Sequence, residues 1–182
     1  MRKIKRMYQT PLRPWDKKNI EEDKKTKLNY GLRRKKEIWK AKAILRNYRE
    51  IARLLAAQRD KEKEAILINK LKKLGLLYQT TPTLDDVLAL SIENILDRRL
   101  QTIVVKKGLA KTPKQARQFI VHGHIAMDGK KVKWPSTIVP VEQEDKISFY
   151  ARSAVKVNAL KKLEEKPKEA PKVEEPKGEV NG

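Results

Sequence analysis

The apolar residues of this chain recur mostly at helical spacing. After Gly31 they recur three and four positions apart, and the stripe consists of Ile38, Ala41, Leu45, Ala52 and Leu55, with Ile44, Tyr48 and Ile51 beside it. Such spacing predicts an amphipathic helix with one buried face. A second helix is predicted from about Asp60 to Leu74, because acids stand in its first turn, lysines stand near its end, and Gly75 follows it.

The next two helices are predicted from their capping residues. Thr83 is typical of an N-cap and opens a short helix at Leu84. Ser91 caps the helix after it, whose apolar face continues to Val104 and which is predicted to end at Gly108. We assign these apolar faces to the hydrophobic core and to no other role.

A further helix has the sharpest start signal in the chain. Thr112 and Gln115 have the spacing of a capping box, and Pro113 stands at the first helical position. The helix is predicted to place Ala116, Phe119 and Ile120 inward and to end before Gly123. Its polar side chains then face solvent or a partner.

A small antiparallel sheet is predicted to follow. The Asp-Gly pair at 128–129 separates two short runs of strand character, which is a strong signal for a two-residue hairpin. An acidic turn at 142–145 then leads to a closing strand at 146–150. Residues 95–150 therefore combine two helices with a bent sheet, and the fold class of the chain is α+β.

Composition divides the chain into four segments. Residues 1–30 are predicted to be an extended basic arm, since two prolines oppose an early helix and apolar residues are few. Residues 31–94 form a helical domain and residues 95–152 a small α+β module. Residues 153–182 are a C-terminal extension, whose Pro, Lys and Glu-rich end is predicted to be disordered.

The charge of the chain indicates a polyanionic partner. Its 182 residues include 44 Lys and Arg against 23 Asp and Glu, a net charge of +21. The excess lies in residues 1–60 and 95–160, on both sides of a neutral helical segment, and therefore suggests two contact surfaces. The absence of cysteine excludes disulfides and thiol chemistry. No apolar run has the length of a membrane span and no secretory signal is present, so we expect a cytoplasmic protein.

Four cations recur along the first long helix at spacings of four, three and four, and must lie in a row on one face: Lys42, Arg46, Arg49 and Arg53. Like charges at this spacing repel one another. A solvated helix face is the common meaning of such a row. We favour a row that faces phosphates, because no acidic row interleaves it.

Residues 98–150 resemble the RNA-binding module named after the small-subunit ribosomal protein S-four. The resemblance rests on these sequence segments: RRLQT at 98–102, GLAKT at 108–112, QARQFI at 115–120, HGHI at 122–125, DGK at 128–130 and VKWPS at 132–136. The segments TPLRPW at 10–15, YGLRRKKEIW at 30–39 and KLGLL at 73–77 are similar to the archaeal and eukaryotic branch of the ribosomal protein family itself. The cysteine-rich zinc knot of some bacterial relatives is absent, so neither a metal nor a cofactor is implied.

The resemblance implies a structural protein of the small ribosomal subunit. Members of this family bind small-subunit rRNA directly and early in assembly, at a junction of RNA helices. They also contact neighbouring ribosomal proteins, one of them near the site where mRNA enters, and that pair affects decoding fidelity. The implied partners are therefore rRNA and ribosomal proteins, with no membrane.

Physical chemistry independently favours the same partner. Side chains cannot read the deep, narrow major groove of A-form RNA, so proteins bind its phosphates, 2′-hydroxyls and shape. Basic and amide side chains near the predicted helix N-terminus and hairpin suit that task. Together with the cationic row, the candidate rRNA-binding residues are Arg33, Arg34, Lys35, Arg98, Arg99, Lys106, Lys107, Lys111, Thr112, Lys114, Gln115, Arg117, Gln118, His122, His124, Lys130 and Lys131.

Three other interpretations are open at the level of sequence. His122 and His124 could suggest a metal pair, but they are the only histidines and acids nearby are few, so RNA contact or packing is favoured. No catalytic constellation is found, and 182 residues leave no room beside the module for the catalytic domain of an RNA-modifying enzyme. The other alternative is an assembly component of the small nucleolar particle type, against which the segment at 30–39 argues.

Overall fold

The computed structural model describes residues 7–79 and 81–153, and it confirms the α+β class. The sequence-predicted tail lies outside the described residues. The helices are α1 Lys17–Asn29, α2 Lys35–Gln58, α3 Lys61–Lys73, α4 Leu84–Ala89, α5 Ile92–Asp97, α6 Leu100–Lys106, α7 Pro113–Val121 and α8 Val141–Glu144. The strands are β1 Ile125–Met127, β2 Lys130–Lys131 and β3 Ile147–Phe149.

Helix α2 organises the first hydrophobic core. Its buried residues are the predicted stripe: Ile38, Ala41, Leu45, Ala52 and Leu55. They pack with buried residues of the following helices, including Leu71, Val87 and Leu96. Because these buried residues extend over most of the 24-residue helix, α2 can hold a long polar face in a fixed orientation.

The expectation that residues 1–30 are extended is wrong for α1. Asp16 caps this helix by accepting from the backbone N–H of Lys18 at 3.2 Å. The carboxylate of Asp23 is buried and accepts from the ammonium of Lys42 in α2 at 3.3 Å. Helix α1 is therefore fixed by a capping hydrogen bond and an ion pair rather than by an apolar stripe. Apolar periodicity detects neither interaction, so the sequence pattern does not predict this helix.

The single helix predicted between Ser91 and Gly108 is also wrong. The chain breaks at Arg98 and Arg99, between α5 and α6. Here the backbone pairs with an extended segment instead: Arg98 C=O accepts from Val139 N–H at 2.9 Å, and Leu100 N–H donates to Thr137 C=O at 2.8 Å. These bonds take the place of helical hydrogen bonds, and they attach the chain at the break to the extended segment at 137–139.

The module contains a second core beneath a three-stranded antiparallel sheet of order β2-β1-β3. Leu100, Val104, Ala116, Ile120 and Ile125 are fully buried within it. The predicted hairpin is confirmed: Met127 pairs with Lys130, and the two turn residues between them both have positive φ. That geometry belongs to a type I′ turn, for which Asp-Gly is favoured.

The acidic segment 142–145 is mainly helical, which corrects the predicted turn. Pro140 is the N-cap residue of α8, and its fixed φ is compatible with that position. Glu144, at the end of α8, accepts from the guanidinium of Arg98 at 2.7 Å. The segment therefore carries an acid that neutralises a buried cation.

Candidate nucleic-acid interface

The N-terminus of α7 presents cations beside a well-made cap. Thr112 Oγ1 accepts from the backbone N–H of Gln115 at 3.2 Å, and Gln115 Oε1 accepts from the backbone N–H of Lys111 at 2.9 Å. The side chains of Lys111 and Lys114 are exposed, as is that of Gln118. The helix start therefore fixes the backbone while leaving two ammonium groups available to phosphates.

The hairpin adds two more cations next to the end of α7. Lys130 and Lys131 are exposed on β2. The stem of Lys131 crosses Gly123, where a Cβ atom would lie 2.0 Å from its Cε, and its ammonium lies 5.6 Å from the Tyr150 ring centroid. Gly123 also has a φ of +74°, which favours glycine. Lys131 is thus held against the helix end.

The two histidines lie beside these lysines. The rings of His122 and His124 are nearly parallel, with centroids 6.2 Å apart. His124 Nδ1 is 3.0 Å from Ser153 Oγ, and its ring contacts Phe119 edge-on. His124 therefore helps to pack the module, whereas His122 is exposed and stays a predicted RNA contact. No group of three potential metal-ligating side chains occurs in the described ranges.

The cationic row on α2 forms one continuous surface, but its members differ. All four line a shallow concavity together with Leu45 and Ile92. Lys42 is paired with Asp23, Arg49 donates to the carbonyl of Leu90 at 2.6 Å, and Arg46 contacts Gln9. Arg53 is exposed. Structural contacts thus orient three of the cations, and Arg46 and Arg53 are the exposed members of the row.

Arg98 and Arg99 correct the sequence interpretation. The sequence predicts both as rRNA-binding residues, but they are only 6% and 5% exposed. Arg98 donates to Glu144 and to the carbonyl of Val139, and Arg99 donates to Glu37 at 2.6 Å. A buried guanidinium needs such a partner. Arg99 therefore links α2 to the module, and Arg98 binds α8 and the segment at Val139.

Glu37 is the centre of this arrangement. Its carboxylate accepts from Arg99 at 2.6 Å and from both terminal nitrogens of Arg117 at 3.0 and 3.1 Å. Burial alone raises the pKa of Glu37, but the hydrogen bonds and charges of Arg117 and Arg99 outweigh it, so the net pKa is lowered. Glu37 thus remains charged, and Arg117 has a structural role besides its predicted RNA contact.

Gln101 completes the connection between the helical domain and the module. Its amide nitrogen lies within 3.1 Å of three carbonyl oxygens, those of Tyr30, Gly31 and Pro113. Gly31 has a φ of +58°, and a Cβ there would lie 2.7 Å from Pro113 Cβ. We call this set the interdomain joint: Tyr30, Gly31, Glu37, Arg99, Gln101, Pro113 and Arg117. It holds α2 and α7, the two cationic helices, in a fixed relation.

The remaining predicted residues lie at the edges of these surfaces. Arg33 and Arg34 are exposed just before α2, and Lys35 is 4.0 Å from Asp23. Lys106 pairs with Asp97 at 2.9 Å, and Lys107 lies 3.6 Å from Asp145. These two surface pairs contribute little to stability and can exchange for phosphates.

Sequence reasoning missed Glu37 and Gln101, although each leaves a signal. Glu37 is the single acid in a run of basic residues from 33 to 40. Gln101 lies among apolar residues of α6 and is 1% exposed. An isolated acid in a basic run and a polar residue on an apolar face both require a partner.

No helix in the described part of the chain is long and apolar enough to cross a membrane.

Residues 98–145 match the model of the S4 domain. The small ribosomal subunit protein uS4 of Methanococcus maripaludis (strain S2) is 50% identical over 155 residues, which cover 84% of this chain and 87% of that protein. The uS4 protein of Metallosphaera sedula is 48% identical over 160 residues, 86% and 89% of the two chains. The uS4 protein of Saccharolobus islandicus is 46% identical over 158 residues, 85% and 87%. This chain therefore belongs to the family of small ribosomal subunit proteins uS4.

Proposed function

We propose that this protein is a structural constituent of the small ribosomal subunit in the cytoplasm and binds small-subunit rRNA directly. The observation that supports this most strongly is the 50% identity to a uS4 protein over 84% of the chain. A shared domain alone would cover only residues 98–145. The long similarity extends over the helical domain as well, and so favours the ribosomal protein over other proteins that carry the module.

The geometry suggests how the binding occurs. The row on α2 and the cations around α7 and the hairpin offer many positive charges but few exposed aromatic side chains. Such surfaces bind phosphates and RNA shape more than base sequence. Because the interdomain joint fixes the two surfaces relative to each other, the protein recognises RNA helices that meet at one angle, as they do at a junction.

Two finer elements belong to this proposal. The protein binds early in assembly, since one folded chain presents both cationic surfaces. It also contacts neighbouring ribosomal proteins and contributes to decoding fidelity with one of them. A concavity that suits a protein neighbour lies between α3 and α8, where Ile66, Leu74 and Pro140 line it and Ile66 is 68% exposed. No enzymatic activity is part of the proposal.

Sedimentation of cell extracts tests this function. A tagged copy of the chain, expressed in the organism that naturally contains it, is expected to migrate with mature small subunits and with translating ribosomes. Dissociation of the ribosomes at low magnesium should move the tag entirely to the small-subunit peak. Recovery only in precursor particles would instead identify an assembly component, and recovery at the top of the gradient would contradict both.

A further inference from the structure

A cleft separates the helical domain from the module on the side of α2 that carries Lys36 and Lys40. It has a volume of about 470 Å³. This is enough for a small organic group. The lining residues are Met7, Arg34, Lys36, Glu37, Lys40, Ala41, Ile44, Ile95, Arg99, Arg117, Pro135, Ser136 and Ile138. Most of these are not among the rRNA contacts predicted from the sequence.

The interdomain cleft has a net positive charge. Glu37 is the one acid that lines it, and Arg99 and Arg117 already neutralise that carboxylate. Arg34, Lys36 and Lys40 are exposed around the opening. Lys36 and Lys40 are four residues apart and therefore lie on the same face of α2. The cleft thus presents an excess of positive charge to a ligand.

The walls of the cleft are apolar. Ala41 and Ile44 come from α2 and Ile95 from α5, while Pro135 and Ile138 come from the segment before α8. These side chains offer no hydrogen-bonding groups. A peptide segment placed against these walls would find partners for its backbone N–H and C=O groups only at the polar rim. The flat face of a nucleobase requires none.

We propose that the interdomain cleft holds one unpaired nucleotide of the rRNA. The base lies between the apolar walls, and the adjacent phosphates contact Lys36, Lys40 and Arg34. RNA supplies one phosphate per nucleotide whatever its sequence, whereas a protein ligand would need acids placed to match this rim. The inference rests on the proposed rRNA-binding function and adds a site that accepts an extruded base.

The test uses the full chain and protein-free small-subunit rRNA. Ser136 is exposed at the cleft, and Ser136→Trp introduces an indole that competes with the base. The matched control is Ser148→Trp, at an exposed position of β3 outside the cleft. Lys40→Ala is a second variant that removes a rim charge without adding bulk. Thermal unfolding verifies that each variant is folded.

We expect Ser136→Trp to weaken rRNA binding about tenfold with an unchanged salt dependence, because stacking of one base is lost rather than an ionic contact. Lys40→Ala should reduce the log–log salt slope by about 1. Ser148→Trp should leave affinity within about twofold. Reagents that modify all four unpaired bases should detect at least one rRNA base that wild-type protein protects and Ser136→Trp leaves reactive.

The other possible outcomes distinguish failure of the nucleotide site from failure of the proposed function. Equal affinity and equal base protection for wild type and Ser136→Trp would overturn the nucleotide site. The same result is expected if a protein segment, rather than a nucleotide, occupies the cleft within the ribosome. Failure of the wild-type chain to prefer small-subunit rRNA over unrelated RNA would instead overturn the proposed function itself.

Discussion

Replacing Glu37 by alanine is expected to destabilise the protein by about 3 kcal/mol. The substitution leaves the guanidiniums of Arg99 and Arg117 without their carboxylate, and removal of one partner from a buried ion pair typically costs about 3–5 kcal/mol. We expect the lower end, because the side chain of Glu37 is 17% exposed. Urea unfolding at neutral pH measures the loss.

The control for this prediction is Glu50→Ala, which removes an exposed acid from the same helix. It should change stability by less than about 0.5 kcal/mol. A loss at Glu37 no larger than this control would contradict the role assigned to the interdomain joint.

The pH dependence gives the Glu37 prediction a second signature. Glu37 has a lower pKa in the folded protein than its ordinary value of 4.5. Its contribution to stability is therefore fully present above about pH 4.5 and is lost as the pH falls through the folded pKa. The stability difference between wild type and Glu37→Ala should shrink in acid over that range.

Replacing Ile120 by alanine should cost about 2–5 kcal/mol through the cavity it leaves. Ile120 is fully buried in the core of the module. Lys114→Ala, on the exposed face of the same helix, should leave stability within about 0.5 kcal/mol of wild type. It should weaken rRNA binding about fivefold, the effect of one lost phosphate contact.

The two variants are informative as a pair, because Ile120→Ala should lower stability whereas Lys114→Ala should lower rRNA affinity alone. Urea unfolding and rRNA binding are measured for both variants. If Lys114→Ala unfolds the module as Ile120→Ala does, or leaves rRNA affinity unchanged, this face of α7 is not an RNA contact.

The elements that sequence predicted well are those determined by local chemistry. The stripe on α2 repeats over several turns, so its burial follows from spacing alone. Thr112, Pro113 and Gln115 specify the start of α7, and Asp128 with Gly129 specifies the turn between β1 and β2. In each case the residues that carry the signal also make the contacts, within a few positions of one another.

The elements that sequence did not predict depend on residues distant along the chain. The break at Arg98 forms because the backbone there bonds to residues 137–139. Glu37 meets Arg117 across a separation of 80 residues. Helix α1 has no apolar stripe and is held by Asp23 and Lys42. None of these partners can be identified by periodicity, which describes only neighbours on one element.

The salt dependence of binding to small-subunit rRNA tests the central claim most directly. Two cationic surfaces that together neutralise about six to ten phosphates should give a log–log slope of roughly −5 to −9. Titrations of the full chain with protein-free rRNA between low and physiological salt measure this slope, with an unrelated structured RNA as the control. We predict a steep slope and tighter binding to the small-subunit rRNA at every salt concentration. A slope near −1 or −2, or equal affinity for both RNAs, would contradict recognition of rRNA by two fixed cationic surfaces.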